Sequence, residues 1–340
     1  MNIFILLIFF SGLFSQIPYQ IDFSNSDDGR FSGDDFENGL TSNSIIDMII
    51  HSDEMIVMGT SGGLNIGIYD DQGNYIIQHP NSSVDMPEGG NPAIAVRGDI
   101  IAVSGVYTNS AFNMSAGSGI SYSADGGDTW KYISQPIDPI PTQYSCKWWR
   151  DNNLPVFYDS EEECDSECID CNGSQSDCSK IYQYINWGGQ NNIVHLAVTT
   201  DVNNISYGLE IHGDYIYASS WAGGLRRYNY VLDSGEWEIV PLPLDNQSHL
   251  YCGAINQNNY VNDPVGDSVC NDLDGDGCEE SEFCGSDNDN QKPFSVYAVE
   301  DTLWVGTAKG INKGIVGSDN CIDWIRMTSD EYGFYDDWTI

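Results

Sequence analysis

The sequence predicts an all-β fold, a β-propeller of four-stranded blades, and three observations carry the prediction. First, one pattern recurs with a period of about 45 residues. "MIVMGTSGGLN" (Met55 to Asn65), "YASSWAGGLRR" (Tyr217 to Arg227) and "LWVGTAKGINK" (Leu303 to Lys313) each give an apolar strand, a small residue and a short turn. Each then continues with Gly, Leu or Ile, and a polar residue. A looser copy runs from "IIAVSG" (Ile100 to Gly105) through a longer loop to "GSGISYS" (Gly117 to Ser123). Second, the flanks repeat too. "IIDMIIHSDE", "AIAVRGD", "GLEIHGD" and "SVYAVEDT" precede the copies; "YDDQGNYIIQHP", "YSADGGDTWKYISQP", "LDSGEWEIVPLP" and "SDNCIDWIRM" follow them. Every unit is thus four short strands joined by tight turns. Third, β-branched and aromatic residues dominate these runs, and no segment shows a helical period.

From the N-terminus, "IFILLIFFSGLF" (Ile3 to Phe14) is an apolar run of about a dozen residues, too short to span a bilayer and suited to a signal-peptide core. Residues 1–15 are expected to be a signal peptide, 16–40 an acidic linker and 41–340 the propeller. The mature chain has no membrane span and is expected to be secreted, periplasmic or at the cell surface.

With 340 residues, 41% hydrophobic and 12% aromatic, the chain can build a sizeable core. Acids number 51 against 12 Lys plus Arg, a formal net charge of −39. Such a surface repels nucleic acid and anionic membranes and suits a saline medium that screens self-repulsion.

The second blade carries "SADGGDTW". Asp125 is placed to accept backbone N–H bonds and close a hairpin, Gly126 and Gly127 permit positive φ, and Trp130 anchors the turn. The corresponding aromatics elsewhere are Tyr75, Trp237 and Trp324, each expected to pack against an adjacent sheet. Gly59-Thr60-Ser61-Gly62-Gly63 spells the G-x-S-x-G of a nucleophile elbow, but an elbow needs a strand feeding a helix, and this turn feeds another strand.

Two insertions interrupt the repeat. The first, at about 136–192, holds "CKWWRDN", an acidic "DSEEECDSECIDC" and "INWGGQ". Trp148, Trp149 and Arg150 are candidate ligand contacts, stacking a sugar or anchoring a partner, or else covering their own disulfide knot. Glu161, Glu162 and Glu163 read as a solvated face. The second, at about 245–293, holds Asp272, Asp274 and Asp276 at alternate positions, followed by Gly277. Alternating carboxylates in a tight loop converge on one hard cation, and Glu280 takes the ninth position of such a loop. The twelfth is Phe283 where a complete EF-hand has Glu, so the loop matches in part; calcium is the expected cofactor.

Nine of the ten cysteines cluster in these insertions, with Cys321 apart. In an exported chain they are expected to pair. "CIDC" offers half a zinc site, but no histidine lies between Cys146 and Cys178. Cys252, Cys270, Cys278 and Cys284 are expected to form two bridges within their insertion. The first insertion's five cysteines then leave one for Cys321.

"LWVGTAKGIN" and "MIVMGTSGGLN" resemble the two-component-regulator type of propeller repeat. Ser123, Asp125, Gly127, Thr129 and Trp130 fit the Asp-box of sialidase-like and sortilin-like propellers, S-x-D-x-G-x-T-W. That resemblance implies a structural turn and says little about activity. A sialidase-type site also needs several arginines around a carboxylate pocket, and no Arg-Ile-Pro motif occurs here. The expected function is an exported binding module for an extracellular glycan or protein. The alternative is a carbohydrate-active enzyme of sialidase-like or polysaccharide-lyase type, whose carboxylate pair sequence cannot place. The terminal "DDWTI" reads as the opening of another inner strand, so the repeat is expected to continue past Ile340.

Overall fold

The computed structural model describes residues 39–52, 55–80, 85–137, 144–146, 157–168, 178–180, 182–187, 190–196, 204–233, 235–245, 247–252, 261–262 and 289–339. Blade 1 is β1 (Ile45–Ile50), β2 (Ile56–Thr60), β3 (Gly63–Tyr69) and β4 (Tyr75–Gln78). Blade 2 is β5 (Ile94–Arg97), β6 (Ile100–Asn109), β7 (Met114–Ser123) and β8 (Lys131–Ile133). The first insertion contributes β9 (Tyr144–Cys146), β10 (Phe157–Tyr158), helix α1 (Glu161–Glu167), β11 (Cys178–Lys180), β12 (Tyr182–Trp187) and β13 (Gln190–Leu196). Blade 3 follows as β14 (Ser206–His212), β15 (Tyr215–Ser220), β16 (Gly224–Asn229) and β17 (Glu238–Ile239). After β18 (His249–Leu250) and β19 (Val261–Asn262) comes blade 4: β20 (Pro293–Val299), β21 (Thr302–Thr307), β22 (Gly310–Val316) and β23 (Ile322–Met327). Each blade is an antiparallel meander paired in sequence order, as the repeat predicts.

The middle strands are rich in apolar residues because both of their faces are largely buried, and successive side chains point to opposite faces. On β6, Ile101 and Val103 join Val57, Leu64, Ile66 and Ile94 between blades 1 and 2. The intervening Ala102 faces the other way, into a cluster with Ile211, Ile216 and Ala218 of blade 3. On β15, Tyr215 and Tyr217 turn instead toward Val296, Leu303, Val305 and Trp324 of blade 4. Three cores therefore alternate with four sheets.

Charged side chains stitch each inner strand to the next. Asp47 on β1 accepts the Ile94 N–H at 2.8 Å. Arg97 on β5 donates to the Ile211 carbonyl at 3.0 Å. Glu210 on β14 accepts the Ala298 N–H at 2.9 Å.

The turn aromatics pack backwards. Trp130 of blade 2 lies against the blade 1–2 core. Trp237 of blade 3 packs on the blade 2–3 core and donates to the Ser134 carbonyl at 3.0 Å. Trp324 of blade 4 is fully buried between blades 3 and 4. Tyr75 of blade 1, with no earlier blade among the described residues, is 44% exposed and meets Tyr69 edge-on.

The insertions depart from expectation in three ways. They form sheets of their own: β10-β9-β11, and β12-β13-β19, the latter joining strands from both insertions through Val194↔Val261 and His195↔Asn262. A helix, which no period predicted, forms at Glu161–Glu167. Ser160 accepts the Glu163 N–H at 3.2 Å and three acids fill the first turn, so capping and the helix dipole start what seven residues are too short to show as periodicity. Glu161, Glu162 and Glu163 are exposed. Finally, Cys252 pairs with Cys321, across 69 residues, and so does not close within its own insertion. The reason is that β18 adds a fifth strand to blade 4, with Leu250 opposite Trp324. That register carries Cys252 to Cys321, and the Cys252 N–H donates to Asp323 at 2.7 Å. Cys164 and Cys168 are disulfide-bonded as well.

The C-terminal segment forms a short helix, α2 (Ser329–Tyr332), and residues 336–339 form no strand. The Thr339 N–H donates to the Thr307 carbonyl at 3.0 Å. On blade 1 the connector to blade 2 makes the same bond, Asn91 N–H to Thr60 carbonyl at 2.9 Å.

Candidate functional site

The turn of "SADGGDTW" is closed by its own side chains. Asp125 accepts the Thr129 N–H at 2.8 Å and hydroxyl at 2.6 Å, and the Ser123 hydroxyl at 2.8 Å. The Gly127 N–H donates back to Ser123 at 2.8 Å, and the Trp130 indole N–H donates to the Gly127 carbonyl at 2.9 Å. Gly127 has φ +104°, and a Cβ there would press on Ile66 of blade 1. These bonds, led by that from the Thr129 hydroxyl, hold the Asp125 carboxyl down to about 2 although it is fully exposed. A carboxylate so satisfied is stabilised as a turn acceptor, not as a proton-transfer group. On blade 1, Asp70 does the same with Asn74, four residues on. Ser61 of the G-x-S-x-G stretch sits in the turn from β2 to β3 and bonds the Ser42 hydroxyl at 2.7 Å.

A second device was not foreseen. In blades 1, 2 and 4 a polar residue near the end of the repeat copy is buried and grips the segment entering its own blade. Asn65 donates to the Thr41 hydroxyl at 2.8 Å, Ser121 to the Asp85 carbonyl at 2.6 Å, and Asn312 to Asn290 Oδ1 at 2.8 Å. The signal was present, since a polar side chain recurs at one register of an otherwise apolar strand.

The recess of interest lies on blade 2. Here β6 and β7 run to ten residues each, against five to seven in the corresponding strands of the other blades. The prolonged hairpin and the connector from blade 1 border an open cleft of about 350 Å³, lined by Met86, Glu88, Tyr107, Ser118, Tyr132 and Gln135. Its walls are fixed. Tyr132 donates its hydroxyl to the Ser118 carbonyl at 2.8 Å, and its ring lies over Gly119, where φ +109° and the missing Cβ make room. Ser118 donates to the Glu88 carbonyl at 2.6 Å. Gln135 accepts the Gly119 N–H at 3.2 Å and donates to the Asn204 carbonyl at 2.5 Å. The connector is tied to the hairpin by two bonds between Gly90 and Val106, at 2.9 and 2.8 Å. Burial, then the charge of Glu88, then Tyr107 push the Tyr132 phenol up, in keeping with the proton it donates to Ser118. Glu88 is exposed and forms no ion pair among the described residues.

The described arginines are committed elsewhere. Arg97 serves the blade 2–3 junction, and Arg226 donates to the Gly223 carbonyl at 2.8 Å. Arg227 pairs with Glu238 at 2.8 Å between the rings of Tyr215 and Trp187. Arg326 donates to the Asp245 carbonyl at 2.5 Å. Trp187, from the first insertion, thereby joins the blade 3–4 core.

Trp148, Trp149 and Arg150 lie outside the described residues, as do Asp272, Asp274, Asp276 and Glu280. Among the described residues no group of three or more His, Cys, Asp or Glu is placed to hold a metal ion. No helix among them is long and apolar enough to cross a membrane.

No protein-family model and no curated protein matches the sequence. Among solved structures, the chain resembles PorZ, a bacterial surface component of the type-IX secretion system of Porphyromonas gingivalis. The TM-score is 0.31 and the identity 14%, over 86% of this chain and 35% of that one. It also resembles a chain of a nidogen–laminin complex, with TM-score 0.26 and 12% identity over 83% and 80% of the two chains. For streptogramin B lyase the values are 0.23 and 10%, over 86% of each. At such scores the four-bladed arrangement rests on this chain's own strand pairing.

Proposed function

We propose that the protein is an exported binding module that takes a glycan or protein ligand in the blade 2 cleft. The observation that carries this is the lining of the cleft: a fixed tyrosine face and a single carboxylate, Glu88. Glycoside hydrolysis ordinarily needs two carboxyl groups, about 5 Å apart in retaining enzymes and wider in inverting ones. The commitment of Arg97, Arg226, Arg227 and Arg326 to structural bonds also argues against a sialidase-type arginine cluster among the described residues. Recognition without turnover needs only a shaped, partly apolar recess with a few directed polar groups, and the cleft supplies these. Export is supported by the apolar N-terminal run and by the oxidised Cys252–Cys321, Cys164 and Cys168.

The loop of Asp272, Asp274, Asp276 and Glu280 is proposed to bind calcium with the weak affinity of extracellular sites, about 10⁻⁴–10⁻³ M. The test is a glycan and peptide array with and without calcium, run on wild type and Tyr132→Ala. Saturable binding lost in the variant is expected, with no product formed; a released sugar would establish the enzyme instead.

A further inference from the structure

We propose that the blade 2 cleft recognises an organic cation: the ammonium or guanidinium head of a lysine or arginine side chain on a partner protein. This rests on the binding-module reading and names its ligand.

Three features of the cleft converge. Tyr132 is 40% exposed and its ring is immobilised from behind, by Gly119 beneath it and by the hydroxyl bond to Ser118. Tyr107 lines the same cleft, and exposed tyrosine rings attract cations. Glu88 supplies a carboxylate without a counter-charge among the described residues, on a connector anchored through the Ser118 and Gly90 bonds. A neutral sugar would leave that carboxylate unneutralised; a cation pairs with it while lying on the rings. Met86 lines the same recess and suits the methylene stem of a long basic side chain. At larger range, the net charge of −39 steers basic partners toward the surface.

The minimal probe is N-acetyl-lysine methylamide, with the norleucine analogue as its uncharged isostere and a neutral trisaccharide as competitor. Binding is followed by NMR shift perturbation on the full chain. The lysine probe is expected to shift blade 2 amides around Ser118 and Tyr132, with a dissociation constant on the order of 1–10 mM. Glu88→Gln is expected to weaken it about tenfold, as loss of one charge-assisted contact does. Tyr132→Ala should abolish it, whereas Tyr132→Phe, which keeps the ring, should stay within about threefold. Equal binding by the norleucine analogue, or no effect of Glu88→Gln, overturns the cation assignment. Trisaccharide binding in the cleft that ignores Glu88→Gln overturns it too, yet leaves the binding-module reading standing. Failure of all three probes to shift these amides overturns both.

Discussion

At the scale of single residues, two carboxylates respond to pH in opposite directions. Asp125 is held down to about 2 by hydrogen bonds, so its contribution is present above the ordinary carboxylate value and fades as pH falls toward about 2. Glu210 is pushed up by burial, despite the two N–H bonds it accepts. Its contribution is complete below the ordinary glutamate value and is lost as pH rises through its elevated one. Urea midpoints between pH 2 and pH 7 should separate them. Asp125→Asn is expected to lose stability relative to wild type mainly above pH 4, flattening the acid limb. Glu210→Gln should gain ground on wild type as pH rises toward neutrality. Parallel curves for all three proteins would contradict both assignments. The Asp125 turn was legible in the sequence because its partners lie within four residues. Asp47, Arg97 and Glu210 were not, since their backbone partners are 47, 114 and 88 residues away. No local pattern marks such a bond.

At the scale of elements, the polar grip and the extra strand give separate tests. Asn312 and Asn290 exchange bonds at 2.8 and 2.9 Å, and both are fully buried. Asn312→Ala leaves Asn290 short of partners and should cost about 1–3 kcal/mol in urea unfolding. Asn312→Asp should also destabilise, because it buries a charge in place of an amide. The edge of blade 4 is covered by β18, two residues long and locked by Cys252–Cys321. Cys321→Ser should cost about 2–4 kcal/mol, and hydrogen exchange at residues 248–252 should speed up before the rest of blade 4. Uniform exchange across the blade would show that β18 is not a separable unit. A two-residue strand offers no alternation to read, which is why Cys252 looked like a member of its local cysteine cluster. The middle strands of the blades were readable for the converse reason: five to ten residues, rich in apolar side chains, and each pattern stated four times.

At the scale of the whole molecule, the blades form a series of three apolar interfaces under a strongly negative surface. The formal charge of −39 gives a simple expectation. Raising sodium chloride from about 0.02 to 0.5 M shortens the Debye length from roughly 20 Å to a few ångströms and relieves self-repulsion. The melting temperature should rise by several degrees; a fall would mean that attractive pairs, such as Lys131–Asp233 between blades 2 and 3, outweigh the repulsion. The four blades were visible from the repeat, but the cleft was not. It depends on the longer hairpin of blade 2, on glycines that matter only for what lies across from them, and on a connector brought alongside by Gly90. The looser copy of the repeat was the trace that this blade left in the sequence.

The backward packing of the turn tryptophans also sets an order. Trp130, Trp237 and Trp324 each close their own blade onto the one before it. On a chain emerging from the ribosome, the surface each tryptophan needs has already been made when it appears. In blade 1 the residue at that position, Tyr75, is exposed. Assembly can thus proceed blade by blade in the direction of synthesis, each step using the last as its template, and no blade has to wait with its anchor unsheltered for sequence still to come.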